Sequence, residues 1–167
     1  KLKTNCSNEE FLRKSEIKIC IKKDCLENIN RIDELIHRTN QLNFTKKRDS
    51  KEDLKKYFED KSTYDSAYII AEDKYGSYGI CGFYVLNKTC KTLEHFLFSC
   101  RIMNMGIEDF VFSYLEKPHI NIVLPVSSFL GGTSNWIKLV DNLDLKPIEV
   151  KKQASINILF KGACDLY

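Results

Sequence analysis

The sequence predicts an α/β domain: a mixed, mostly antiparallel sheet flanked by helices. Three observations carry that prediction. Strand-like segments at 66–72, 78–86 and 93–100 succeed one another with no helical stretch between them, which makes an antiparallel meander. The last of them runs directly into a segment where Ile107, Phe110, Val111, Tyr114 and Leu115 repeat at i, i+3, i+4, i+7 and i+8, the stripe of an amphipathic helix. A further apolar run at 120–126 then closes a strand–helix–strand unit, whose two strands lie parallel.

Each element has its own warrant. In 16–23, Ile17, Ile19 and Ile21 alternate with polar or small neighbours, the period of a half-buried strand. Asp24 can cap the next segment, where Leu26, Ile29, Ile32, Leu35 and Ile36 form one helical stripe. Residues 38–45 are polar and without period. A short helix over 51–59 presents Leu54, Tyr57 and Phe58 to one side. The strands at 66–72 and 78–86 are joined by Asp73-Lys74-Tyr75-Gly76-Ser77, short and glycine-containing, as a hairpin requires. After 120–126 comes a loop over 127–134 containing Gly131-Gly132. Trp136, Leu139, Val140 and Leu143 then mark a helix, and 156–160 a final strand. The predicted order is β-α-α-β-β-β-α-β-α-β. Residues 16–160 form the domain, 1–15 an extension or linker from a missing upstream domain, and 161–167 a tail or the start of a further segment.

Composition narrows the class. An apolar content of 43% and a charged content of 29% are those of a water-soluble globular domain. No apolar run reaches the ~20 residues of a membrane helix, and no secretory signal is visible. A net charge of +3 is too small to argue for nucleic acid, and the clusters Lys22-Lys23, Lys46-Lys47-Arg48, Lys55-Lys56 and Lys151-Lys152 read as solvated faces and loops, with the cluster ending at Arg48 the best functional exception. The 7 cysteines form no CxxC pair, which argues against a zinc site and a disulfide framework and for a reducing, cytoplasmic setting. The expectation is therefore no membrane, no nucleic acid and no metal. The chain starts at Lys1 without methionine, which suggests a piece of a longer protein.

The chemistry concentrates at the junction of strand and helix. Cys100 ends the strand, and Arg101-Ile102-Met103-Asn104-Met105-Gly106 forms the turn into the helix. Such a turn directs unpaired amides and the positive end of a helix dipole outward, toward a phosphate. Cys100 is the candidate nucleophile, its thiolate favoured by the helix terminus and by Arg101. The same thiol also serves as a small apolar residue at a strand end. Glu94 and His95, on opposite faces of the strand, are candidate bases, and alternation places Glu94 on the face of Cys100. Thr39, Asn40, Gln41, Asn43, Thr45 and Arg48 supply amides, hydroxyls and a guanidinium suited to a polyhydroxy or phosphate-bearing group, or to capping and loop bonds.

Two resemblances give these residues a setting. The order of elements, with a phosphate-type turn before the third helix, resembles the GNAT acyltransferases, whose turn [RQ]-x-x-G-x-[GA] holds the pyrophosphate of acyl-CoA. Here it reads Arg101-x-x-Asn104-x-Gly106, with Asn104 replacing a glycine; Asn tolerates the left-handed conformation. Asn135 corresponds to an Asn that many GNAT enzymes carry at the start of the last helix, but 136–143 lacks their proton-donating tyrosine. More narrowly, Arg31-Ile32-Asp33-Glu34-Leu35 with Thr39-Asn40-Gln41-Leu42-Asn43-Phe44-Thr45 and Arg48, then Asp73-Lys74-Tyr75-Gly76-Ser77-Tyr78-Gly79-Ile80, then Phe98-Ser99-Cys100-Arg101 with Gly106-Ile107-Glu108, resemble three motifs of FkbH-like proteins.

In that family a haloacid dehalogenase-type phosphatase domain precedes a GNAT-like domain, and a glyceryl unit is loaded onto an acyl carrier protein. The resemblance implies an acyl carrier protein and an upstream phosphatase-like domain as partners, and a small acyl substrate. As cofactor it implies the carrier's phosphopantetheine, or coenzyme A. The expected function is transfer of a glyceryl or related acyl group to the phosphopantetheine thiol, with the arm in the splay between the strands at 93–100 and 120–126. The alternatives are a non-catalytic domain that docks the carrier or the phosphatase, and an acetyl-CoA-dependent N-acetyltransferase.

Overall fold

The computed structural model describes residues 8–143. Helix α1 (Asn8–Lys14) is followed by strand β1 (Lys18–Lys22), helices α2 (Ile29–Arg38) and α3 (Lys51–Glu59), and strands β2 (Tyr64–Asp73), β3 (Gly76–Asn87) and β4 (Thr92–Phe98). A single 3-10 turn, Cys100–Ile102, leads to α4 (Ile107–Tyr114), and two short strands close the set, β5 (His119–Ile120) and β6 (Lys138–Leu139). The six strands form one sheet in the order β5-β4-β3-β2-β1-β6. Its centre is antiparallel, while β5 on β4 and β6 on β1 are parallel. The protein is thus α/β, with a mixed sheet flanked by helices.

Alternation along the strands divides the core into two layers. On one face Ile32, Leu35 and Ile36 of α2 and Leu54 and Phe58 of α3 pack on Tyr68, Ile70, Phe83, Val85 and Leu97. On the other, Ile107 and Val111 of α4 and Leu12 of α1 pack on Ile19, Ile69, Tyr84, Phe96 and Phe98. Helices on both sides thereby take each apolar face out of water. Ser50 caps α3 by accepting from the Asp53 amide. The β2–β3 hairpin is tied by Asp73, whose Oδ1 accepts from the amides of Tyr75 (2.8 Å) and Gly76 (3.1 Å). Gly82 is obligatory for a different reason. A Cβ there would stand 2.5 Å from the Phe98 ring carbons, so only glycine lets that ring lie flat across β3. Among the described residues no helix is long and apolar enough to cross a membrane.

Four expectations need correcting. Residues 1–15 are not all linker, because 8–14 form α1 and bury Leu12. The strand expected over 120–126 shrinks to His119–Ile120, leaving Ile122, Val123 and Leu124 exposed. The helix expected over 136–143 is absent. Lys138 and Val140 instead donate their amides to the carbonyls of Ile17 (3.0 Å) and Ile19 (2.9 Å), satisfying an edge of β1 that would otherwise face water unpaired. Finally, β4 carries a bulge. Val85 pairs with His95 and Leu86 with Leu93, so Glu94 has no partner across the strand, and alternation breaks there. The strand expected over 156–160 lies outside the described residues.

Candidate functional site

The strand that organises the chemistry is β4, and its two ends differ. Beyond Phe98 the chain leaves the sheet, the Ser99 amide donating to the Cys81 carbonyl at 2.7 Å. That bond delivers Ser99, Cys100 and Arg101 to the C-terminal end of α2. A basin of about 370 Å³ opens between them, lined by Arg31, Arg38 and Thr39 from the helix side and by Ser99, Cys100 and Arg101 from the strand side. Its charge is three guanidiniums against the single carboxylate of Glu34, which pairs with Arg31 at 2.6 Å. Among the described residues neither Arg38 nor Arg101 has a carboxylate partner. Arg101 is steadied by Ser99, whose Oγ accepts from both its Nε (3.2 Å) and its backbone N–H (3.3 Å). Cys100 is a free, exposed thiol at the lip. Planar guanidiniums are fork donors matched to phosphate or carboxylate.

The bend beyond Cys100 is more closed than the sequence suggests. The amides of Ile102, Met103 and Met105 already bond to the carbonyls of Ser99, Cys100 and Ile102. Ile102 and Met105 are core side chains, and only Arg101 and Asn104 are exposed. Asn104 does adopt the left-handed conformation, with φ +65°, and so does Gly106, with φ +79°. A Cβ on Gly106 would lie 3.1 Å from the Trp136 ring, whose Nε1–H donates to the Met105 carbonyl at 2.9 Å. The first turn of α4 is covered as well. Ser128 Oγ–H donates to Glu108, and the Gly131 and Gly132 amides donate to Asp109 at 2.8 and 3.0 Å. A phosphate approaching this helix end meets two carboxylates and an indole. The anion-binding capacity therefore sits in the side chains of Arg38 and Arg101 rather than in the amides of 101–106.

The splay between β4 and β5 exists and is filled by the chain itself. The two strands pair only at Thr92–His119 and Leu93–Ile120. Beyond that point residues 41–44 wedge between them, and Phe44 N–H and Phe98 N–H exchange bonds with the carbonyls of Phe96 and Leu42, each at 3.0 Å. On the outer side, the Val123 and Ser127 amides donate to Phe44 and Gln41 at 2.8 and 2.9 Å. Leu42, Asn43 and Phe44 are fully buried. This explains why β5 is short: its neighbour position along β4 is already taken. A pantetheinyl arm expected in that splay finds it occupied.

The polar loop residues divide accordingly. Arg48 spends its guanidinium on the carbonyls of Ile36, His37 and Thr39 at 2.5, 2.7 and 3.0 Å, capping the C-terminus of α2. Asn43 bonds within its own turn, Oδ1 accepting from the Lys46 amide. Asn40 accepts from Lys46 Nζ through its carbonyl, and Gln41 is exposed. The Thr45 hydroxyl is buried without a partner among the described residues. Only Thr39 reaches the basin. Asn135 accepts from Arg13 of α1 at 2.7 Å, away from it.

At its other end β4 holds a second polar group. The bulge turns Glu94 toward Lys47, with which it forms a close ion pair, rather than toward Cys100. His95 is fully buried between the Phe83 and Tyr57 rings, its Nε2 2.9 Å from Asp49 Oδ2. The Tyr57 hydroxyl donates to the same oxygen at 3.1 Å. Burial pushes the His95 pKa down despite Asp49, so the ring is neutral and donates Nε2–H as a hydrogen bond rather than as half of an ion pair. Burial and the Asp49 charge push the Tyr57 hydroxyl up, which keeps its proton in place. Cys100 lies five positions beyond His95, past the end of β4 and in the 3-10 turn, while this group sits by the bulge. The structure therefore does not bring either candidate base to the candidate nucleophile.

Arg31 and Arg38 are legible as a pair, since i and i+7 share a helix face with Leu35 between them. Asp49 and Ser99 carry no such signal. Among the described residues no three His, Cys, Asp or Glu side chains gather to hold a metal. Comparison of the chain with protein-family models, curated proteins and solved structures finds no match.

Proposed function

We propose that this is the GNAT-like domain of an FkbH-like protein, and that its basin takes the phosphate of an acyl carrier's phosphopantetheine, or of coenzyme A, for acyl transfer. One observation carries the reading. Residues from two of the three family-like motifs, Arg31 and Thr39 on one side and Ser99, Cys100 and Arg101 on the other, meet around one basin although some 60 positions part them in sequence. Arg38 and Arg101 hold the phosphate oxygens, and the flexible pantetheine arm folds back over the basin so that its thiol reaches Cys100 at the lip. The Cys100 sulfur bonds to the carbonyl carbon of a glyceryl or related acyl donor, and the donor's leaving group departs with the thiol proton. The carrier thiol then attacks that thioester, takes the acyl group and returns its proton to Cys100. A small acyl substrate, a carrier protein and an upstream phosphatase-like domain complete the system.

The test uses coenzyme A, which contains the same phosphopantetheine. Binding to the 167-residue chain is expected to weaken about tenfold or more in Arg38→Ala/Arg101→Ala and to fall with salt. Equal affinity in the double variant sinks the reading. Incubation with an acyl-loaded carrier, followed by digestion and mass spectrometry, should find a thioester on the Cys100 peptide that Cys100→Ala abolishes.

A second reading rests on the filled splay and on the absence of a base beside Cys100 among the described residues: a non-catalytic domain that docks the carrier or the phosphatase. It predicts carrier binding that depends on Arg38 and Arg101, with no adduct and no effect of Cys100→Ala.

A further inference from the structure

A second cavity, of about 250 Å³, lies between α3 and the start of β2 and shares no lining residue with the basin. Its wall is the edge-to-face pair of Tyr57 and Tyr64, with ring centroids 4.9 Å apart. Its rim carries Lys23, Lys61 and Lys88. Asp65 pairs with Lys23 at 2.7 Å and is the only carboxylate in the lining. Lys88 Nζ donates to the Lys61 carbonyl at 2.5 Å, which fixes one ammonium at the rim and leaves it two further N–H groups. No carboxylate lies within ion-pair reach of Lys61 or Lys88 among the described residues.

The cavity also contains an unanswered donor. Ser66 shares the face of β2 with Tyr64 and Tyr68, and its hydroxyl oxygen is buried with no hydrogen-bond partner among the described residues. A buried hydroxyl left unpaired is a net cost to the fold. A ligand oxygen entering the cavity relieves that cost. Cys25 lines it too, but burial pushes the thiol up to about 12, so it contributes apolar surface and not a nucleophile.

From two ammoniums without a carboxylate partner among the described residues, the aromatic wall and the orphan hydroxyl, we infer that this cavity is a binding site for a small organic anion. The anionic group, a phosphate or carboxylate, sits between Lys61 and Lys88, an apolar body lies on Tyr57 and Tyr64, and an acceptor oxygen faces Ser66. Tyr57 is shared with the Asp49–His95 group, so the ligand bears on a wall of the cavity that reaches His95 of β4.

Phenyl phosphate is the probe, titrated into the 167-residue chain and followed calorimetrically, with inorganic phosphate as the comparison. The expected result is saturable binding of phenyl phosphate, tighter than inorganic phosphate, weakened about tenfold in Lys61→Ala/Lys88→Ala and several-fold in Ser66→Ala. Both lysines are exposed, so the double variant should retain the melting temperature of the parent. The same titration in the Arg38→Ala/Arg101→Ala background, which removes the basin's own phosphate donors, should still show the lysine-dependent binding, which separates it from the basin. No binding, equal affinity for inorganic phosphate, an unaltered affinity in the lysine variant, or loss in the arginine variant each overturns the inference.

Discussion

The two ends of β4 each gather titratable side chains and hold them in opposite ways. At the bulged end, Glu94 and His95 are locked by Lys47, Asp49 and Tyr57, and every charge has a partner. At the far end, Arg38 and Arg101 stand beside an exposed thiol with no carboxylate among the described residues to answer them. The first arrangement raises the cost of disturbing the fold. The second leaves electrostatic capacity unspent, which is what a ligand site requires. The lesson is that a titratable residue on a strand becomes structural or functional according to what the neighbouring loop supplies, and not according to its own identity.

The sharpest way to break this contrast is Phe44→Ala. Phe44 is fully buried against Phe96, so truncation should cost about 3–5 kcal/mol in urea denaturation. A cost below ~1 kcal/mol would mean that 41–44 does not fill the splay. Next comes Asp49→Ala, which leaves His95 Nε2–H and the Tyr57 hydroxyl without their shared acceptor. A loss of about 1–3 kcal/mol is expected, against changes within about 0.5 kcal/mol for Arg38→Ala or Cys100→Ala at the open end.

Smaller, one-proton effects sharpen it further. Burial holds the folded His95 pKa below its ordinary 6.5, so the unfolded chain binds the extra proton first on acidification. Stability should therefore fall as pH drops below about 6.5, and His95→Gln should remove that slope. Glu108 behaves in the opposite sense. Burial raises its pKa above 4.5, and its Oε2 has no partner among the described residues. The folded state holds the proton longer, so stability declines as pH rises from about 4.5 toward the folded value. Glu108→Gln should be more stable than the parent at neutral pH and equal to it near pH ~4; thermal melts at both pH values read this directly.

Much of the fold is legible in the sequence because long periodic segments leave little choice. Ile32, Leu35 and Ile36, or Ile107, Phe110 and Val111, fit only a helix, and Ile17, Ile19 and Ile21 only a strand. Trp136, Leu139, Val140 and Leu143 imitate a helix over too few residues to outweigh the unpaired edge of β1. The bulge at Glu94 is invisible because a single skipped residue leaves no trace in composition, yet it decides where the carboxylate points. Cys100 and Arg101 stand out because a strand end announces itself. Arg48 reads in the sequence as a ligand for substrate, since the three carbonyls it caps come together only when α2 ends above it.

Residues 41–44 act on the groove of β4 as a resident competitor. Four backbone hydrogen bonds and two fully buried apolar side chains hold that stretch in place. Any outside chain seeking the same berth must first evict it, so the observed affinity there equals the intrinsic one multiplied by the fraction of molecules in which the berth is vacant. Specificity at this groove is thus set by the protein's own sequence as much as by the visitor's.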